Sequence, residues 1–204
     1  MVERTAHMFI AGPEVIRAAT GERISEEDLG GAAAHAAVSG NIHFVAKDDR
    51  DAIALVRTLL AYLPQNNLES PPDVPFPGPV GEVPALDDLV PEDPRKSYDV
   101  KDVIGQVLDA GSFLEVQRDW AQNLVVGFGR LGGMSVGVVA NQPAVLAGAI
   151  DINASDKSAR FIRFCNIFNI PIVTLVDVPG FLPGVAQEHG GIIRHGAKML
   201  FAYS

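Results

Sequence analysis

Residues able to carry chemistry are concentrated at one place in this chain. The stretch from Pro171 to Val178 is apolar and largely β-branched, and it runs into Pro179-Gly180-Phe181-Leu182-Pro183-Gly184, then Gln187, Glu188 and Gly190 to Lys198. The pattern predicts a strand buried on both faces, a rigid loop and then a helix. Glycines let a ligand approach the backbone and a helix start leaves amide donors unpaired. The loop therefore offers N–H groups to an anion rather than a nucleophile to an electrophile. An ordinary proline-rich strand-to-helix turn has the same spacing.

Cationic side chains stand in two groups. Arg194, His195 and Lys198 fall within one turn of the helix after the loop and suit a carboxylate or a phosphate, or else are the cations of a solvated face. Lys157, Arg160 and Arg163 recur at helical spacing as a second basic stripe, equally compatible with plain surface charge. The five histidines, His7, His35, His43, His189 and His195, are scattered. None has the i, i+4 pairing of a metal site, so no metal is expected. His35 and His43 read as packing or hydrogen-bonding residues.

Cys165, the single cysteine, cannot form an internal disulfide. It lies among Phe161, Phe164 and Phe168 at helical spacing and reads as a buried core thiol. A serine hydrolase would need a nucleophile, a base and an acid, and no Gly-x-Ser-x-Gly elbow occurs. Ser39 and Ser135 read as turn and strand residues, and no side chain is expected to be catalytic.

The elements that position these residues follow from punctuation and period. Gly12-Pro13 opens a helix that runs to Gly21, Ser25 caps a short turn at Glu26-Glu27-Asp28, and Asp48 begins a longer helix that Pro64 stops. In that helix Ile53, Val56, Leu59, Leu60 and Leu63 share a face. Nine of the 14 prolines fall between Pro64 and Pro94, which predicts a stiff connector over 64–98 between a first region, 1–63, and a second, 99–204. Past the connector come a helix from Asp99 to Asp109, a strand near Phe113 to Gln117 and the run Gln122 to Arg130. Met134–Asn141 and Ala144–Ile150 read as adjacent strands, and a helix capped by Ser155 reaches Asn169.

A net charge of −9 argues against nucleic acid as a partner and gives no long-range attraction for an anionic substrate. No run reaches the roughly 18 apolar residues of a membrane span, and the first residues lack the pattern of a signal peptide. A cytoplasmic location is expected, with no membrane partner.

From Asp99 onward the chain closely resembles the carboxyltransferase subunit of biotin-dependent acyl-CoA carboxylases of the propionyl-CoA or acetyl-CoA type. The matching words include Asp102-Val-Ile, Phe113-Leu-Glu115, Val126-Gly-Phe-Gly-Arg130, Val136-Gly-Val-Val-Ala-Asn-Gln-Pro143, Asp151-Ile-Asn153 and Ala159-Arg-Phe-Ile-Arg-Phe-Cys165, besides the loop and helix from Pro171 to Lys198. Met8-Phe-Ile-Ala-Gly-Pro-Glu-Val-Ile16, Leu29-Gly-Gly-Ala32, His35, Ser39-Gly40 and His43 extend the likeness to the first 70 residues. Asn166, where aspartate is common, and Val185-Ala186, where Thr-Asp is frequent, depart from the pattern.

The resemblance implies an α/β fold, a crotonase-like (ClpP/crotonase) spiral of ββα units, with fragments of two related domains present: the end of the N-terminal one and the start of the C-terminal one. It implies transfer of a carboxyl group from N-carboxybiotin to the α-carbon of propionyl-CoA or acetyl-CoA. In that chemistry carboxybiotin releases CO2 in a dry pocket, the biotin enolate takes the α-proton, and the acyl-CoA enolate attacks CO2. Gly180, Phe181, Gly184, Asn141 and Gln142 would wall the biotin and acyl pocket. Lys157 and Arg160 would meet CoA, and Arg194 with His195 would meet carboxybiotin or a CoA phosphate.

The partners implied are a biotin carboxylase, a biotin carboxyl carrier and further copies of the chain in a hexamer. Both glycine-rich oxyanion sites of the family are expected to lie outside this sequence, one before Met1 and one after Ser204, leaving the isolated chain inactive. The alternatives are a subunit of a biotin-dependent methylmalonyl-CoA decarboxylase, which has membrane partners, and a non-catalytic remnant that associates through uncovered apolar faces.

Overall fold

The structure, a computed structural model, describes residues 1–76, 78, 81–93 and 95–204. Pro77, Pro79, Val80 and Pro94 of the expected connector lie outside the described residues. The chain forms two compact units, Met1–Leu59 with Gln117–Trp120, and Leu60–Val116 with Ala121–Ser204. The boundary expected at residue 63 falls at Leu59, and the connector is part of the second unit.

The first unit is mainly helical. Helix α1 (Pro13–Thr20) has proline in its first turn and stops at Gly21, whose φ of 81° closes the C-cap. Helix α2 (Glu26–Gly30) starts where Ser25 Oγ accepts from the Asp28 N–H at 3.0 Å. Helix α3 (Ala32–Ala34) widens into a π-turn over His35–Ser39, ended by Gly40 at φ 65°. There the buried His35 ring bonds Ser39 Oγ through Nδ1, at 2.7 Å, and the Met8 carbonyl through Nε2. A carbonyl only accepts, so Nε2 is the donor of that bond. Helix α4 (Asp49–Leu60) is capped by Asp48, whose carboxylate accepts from the Asp51 N–H. Its expected apolar face is exposed, with Ile53 and Val56 57% and 55% accessible.

Four strands make the sheet of the second unit, in the order β1 (Leu114–Val116), β2 (Leu124–Leu131), β3 (Met134–Asn141) and β4 (Ile172–Leu175). The first three are antiparallel neighbours and β4 runs parallel to β3. The β2–β3 hairpin turns at Gly132 and Gly133, with φ of 60° and 85°, the left-handed pair that a two-residue hairpin requires. Asp109 accepts both of their N–H groups, at 2.9 and 2.7 Å.

Alternation along the strands sends Val125, Val136, Val138 and Ala140 against Val100, Ile104 and Leu108, at and beside helix α5 (Val100–Val107). On the opposite face Phe128 packs on Phe161 and Phe164 of helix α6 (Ile152–Ile167). Both faces being covered, β2 and β3 are buried almost end to end. Each buried valine or isoleucine contributes roughly 1.5–3 kcal/mol. Cys165 is fully buried beside this layer, and a Cβ at Gly137 would sit 2.7 Å from its Sγ.

Several sequence expectations change. The strand expected over 171–178 is only Ile172–Leu175, half-buried at the edge of the sheet, and Val176 is 72% exposed. The expected strand at Ala144–Ile150 does not form, because Leu146, Ala147 and Gly148 have φ of 50°, 52° and 73°, a left-handed run that no strand can hold. The ββαβα order therefore starts at Leu124 rather than Met134. Helix α6 begins before Ser155, because Asp151 caps it by accepting from the Ala154 N–H at 2.8 Å.

The start of the connector, from Asn67 to Val74, is docked, together with residues 61 and 62 just before it. The buried Arg130 guanidinium donates to the carbonyls of Ala61 at 2.7 Å and Pro72 at 2.9 Å, and stacks over the Tyr62 ring. Val74 donates to the Gly133 carbonyl, and Asn169 reaches Asn67 O. After β4 come the loop to Gly184, helix α7 (Val185–Gly190) and helix α8 (Ile192–Tyr203), parted by Gly191 at φ 90°. Among the described residues, no helix is long and apolar enough to cross a membrane, and no group of three or more His, Cys, Asp or Glu could hold a metal.

Candidate functional site

The parallel strands β3 and β4 end side by side, where open α/β sheets place their ligands. The loop that leaves β4 is held there by backbone and side chain together. Ile150 donates to Gly180 O at 3.0 Å, and Leu182 donates to Ile150 O at 2.8 Å. This bridge fixes Phe181 between them while leaving the Gly180 and Phe181 N–H groups without a partner among the described residues. Gly180 and Gly184 have φ of 140° and 149°, and a Cβ at either would meet nothing. Conformation, not space, demands glycine at both. The Phe181 ring lies against Gly196 of α8, where a Cβ would come within 2.8 Å of it.

Asn141 and Gln142 stand at the end of β3, buried, with their amides already used. Asn141 Nδ2 donates to Gly148 O at 3.1 Å, and Oδ1 accepts from the Asp177 N–H at 3.4 Å. Gln142 donates to Asp99 at 2.7 Å and accepts from the Val100 N–H at 3.2 Å. Both hold neighbouring segments in place instead of presenting free amides.

Beside them opens a cavity of about 370 Å3 lined by, among others, Arg95, Lys96, Tyr98, Pro143, Ala147 and Asp177. Across it the Tyr98 hydroxyl donates to Asp177 Oδ2 at 2.9 Å. Burial first, then the hydrogen bond and charge of Asp177, push the Tyr98 hydroxyl up to about 12. Sequence reasoning missed Tyr98. It lies 79 residues before Asp177, at the far end of a proline-rich stretch, and no local spacing links the two.

The basic residues do not form one cluster. Lys157, expected on a surface stripe facing CoA, is 1% exposed. Its ammonium donates to Leu124 O at 2.7 Å and Ala121 O at 3.3 Å, inside the second unit. It is a core lysine, and that expectation is corrected: residues three apart lie about 60° apart around the helix, and the edge of the packed side of α6 falls between Lys157 and Arg160. Arg160 and Arg163 are exposed. Arg163 lines a second cavity, of about 550 Å3, with Asn166, Lys198, Phe201 and Tyr203.

On α8, His195 Nδ1 and Lys198 Nζ both meet Asp156 of α6, at 2.7 and 2.8 Å. Burial alone would raise the Asp156 carboxyl, but the hydrogen bonds from Lys198 and His195 outweigh it and hold the group below its ordinary value. Arg194 turns back to the Gly190 carbonyl and the His195 ring. His195 and Lys198 thus share the one carboxylate of Asp156, and Arg194 is bonded elsewhere. Burial raises the Cys165 thiol to about 12, so it stays protonated and is a poor nucleophile.

A family model, the carboxyl transferase domain, matches residues 1–204. The chain is 58% identical over 205 residues to the carboxyltransferase subunit of propionyl-CoA carboxylase from Haloferax mediterranei, covering 100% of this chain and 40% of that protein. It is 57% identical to the methylmalonyl-CoA decarboxylase subunit alpha from Veillonella parvula, with the same coverage. The crystal structure of transcarboxylase 12S, a hexamer with hydrolysed methylmalonyl-coenzyme A bound, superposes with a TM-score of 0.97 at 58% identity, over 100% of this chain and 39% of that one. The chain therefore spans about 40% of the length of the relatives it matches. On a match that runs its whole length, this chain belongs to the carboxyl transferase domain family and has the crotonase-like fold.

Proposed function

We propose that the chain is part of a carboxyltransferase subunit that moves a carboxyl group from N-carboxybiotin to the α-carbon of propionyl-CoA or acetyl-CoA. The observation that carries this reading is the 58% identity, unbroken over the chain, to a carboxyltransferase subunit of propionyl-CoA carboxylase. The site is consistent with it. The loop after β4 presents backbone N–H groups at Gly180 and Phe181 and no activated nucleophile, which suits a reaction whose demand is stabilisation of negative charge. Biotin, when bound, supplies the carboxyl group.

The chain's own residues position and exclude. Gly180, Phe181 and Gly184 shape the wall nearest the reacting groups, while Asn141 and Gln142 support that wall from behind. The exposed Arg160, with Arg194 and His195, attracts the anionic ends of the acyl-CoA and carboxybiotin, and Lys157 has no part in it. Biotin arrives on a carrier charged by a biotin carboxylase partner, and copies of the subunit assemble as a hexamer. A cytoplasmic site of action goes with this reading.

A second direction has support of its own, since the decarboxylase relative is almost as similar as the carboxylase one. The shared chemistry is carboxyl exchange between biotin and an acyl-CoA α-carbon, and the partner decides its direction. The test uses the protein expressed at the full length of its natural gene, mixed with a biotin carboxylase, its charged carrier, ATP and labelled bicarbonate. Label entering propionyl-CoA or acetyl-CoA supports carboxylation. In a parallel mixture given carboxyl-labelled methylmalonyl-CoA and uncharged carrier, transfer of its label to the carrier without any forward incorporation supports the reverse direction, and no acyl-CoA turnover in either mixture leaves the assembly-piece reading and removes this one.

A further inference from the structure

Asp177 lies two residues past the end of β4, in the loop that leaves the sheet, and it is gripped at three points. Its N–H donates to Asn141 Oδ1 at 3.4 Å. Its carbonyl lies against Gly148, where a Cβ would come within 2.5 Å of the oxygen. Its carboxylate accepts from the Tyr98 hydroxyl at 2.9 Å.

The first two grips come from the segments beside the end of β4, and any strand-to-loop junction could supply them. The third comes from residue 98, immediately before the Asp99 cap of α5, and it ties a distant segment to the loop. Three and four residues on from Asp177 are the Gly180 and Phe181 N–H groups, which on the carboxyltransferase reading face the biotin and acyl pocket that this loop walls. Pro179 restricts one dihedral of the backbone between, and the Ile150 bridge holds Gly180 and Leu182 from the far side, so the Tyr98–Asp177 bond supplies the anchor on the near side.

We propose that Tyr98 is a positioning residue for carboxyl transfer: through Asp177 it fixes the orientation of the Gly180 and Phe181 N–H groups. This inference rests on the carboxyltransferase reading. Tyr98 need not touch either substrate, and its bond to Asp177 is polar and partly exposed, so removing the hydroxyl leaves the fold intact. The neighbouring cations, Arg95 and Lys96, line the same cavity but do not bond Asp177. They cannot replace the hydroxyl without moving.

The test is Tyr98→Phe in the full-length protein, with two readouts. Amide hydrogen exchange over residues 178–184 should quicken. The kcat for carboxyl transfer should fall about tenfold with the acyl-CoA KM unchanged, the pattern of misplaced donors acting on the transition state while substrate binding is intact. Asp177→Asn, which keeps an acceptor for the hydroxyl, should lose less kcat than Asp177→Ala, and Tyr98→Phe should add nothing in the Asp177→Ala background. Unchanged exchange in the loop, or an unchanged kcat in an active enzyme, overturns the role of Tyr98 alone. A wild-type protein that transfers no carboxyl group overturns the function and this inference with it.

Discussion

Two basic side chains one helical turn apart have opposite fates here, and the difference sets opposite experimental outcomes. Lys157 is buried with its ammonium on two carbonyl oxygens, so Lys157→Ala leaves those acceptors unmatched and opens a void. It should lower stability by about 3 kcal/mol, seen as a fall in the unfolding temperature. Arg160→Ala should leave that temperature unchanged and raise the acyl-CoA KM severalfold; the reverse pattern would return Lys157 to the ligand. Cys165 offers a pH test. Its thiol is raised by burial from 9.0 to about 12, so the folded state keeps the proton that the unfolded state gives up. The contribution to stability is whole below pH 9.0 and is lost as the pH climbs toward about 12. The difference in denaturation midpoint between wild type and Cys165→Ala should shift with that sign, and iodoacetamide should label the thiol only after unfolding. The buried state of Cys165 was legible from its aromatic neighbours at helical spacing. That of Lys157 was not, because its partners lie 33 and 36 residues away in sequence.

Helices announced themselves through caps more faithfully than strands did through composition. Gly12-Pro13, Gly21, Ser25 and Asp99 end or start helices where their chemistry requires, and even the displaced start of α6 obeys the same rule with Asp151 in place of Ser155. The strands misled in two places, the overlong 171–178 run and Ala144–Ile150. The latter has strand composition, but Pro143 and the left-handed run through Gly148 bend it around Asp177 instead. The connector misled through its prolines, which suggest a spacer, whereas Arg130 pulls its first part onto the sheet through main-chain carbonyls that carry no sequence signature. Arg130→Lys keeps the charge but loses the planar fork that serves Ala61, Pro72 and Ser135 together. Limited proteolysis should then cut residues 64–74 several times faster, with little change in cleavage of the helices. Equal cutting in both proteins would mean that the connector is held by something else.

For the molecule as a whole, the family and the loop were legible in the residues, while the division into units and the grip on Asp177 needed coordinates. A long ordered set of motif words survives any error in assigning individual strands, whereas the partners of Asn141, Tyr98 and Asp156 are set by tertiary packing. Large apolar side chains stay exposed on both units, Ile10 on the first and Ile193 and Phe201 on the second. Apolar surfaces of this kind are the sort that protein contacts cover. Carboxyl exchange between biotin and an acyl-CoA can be measured without any partner. The full-length protein is given methylmalonyl-CoA labelled in its free carboxyl group, with and without free biotin. Biotin-dependent transfer of the label to N-carboxybiotin, with propionyl-CoA formed in equal amount, is the expected result. Folded, fully assembled protein that forms no propionyl-CoA, or forms it equally without biotin, would contradict it.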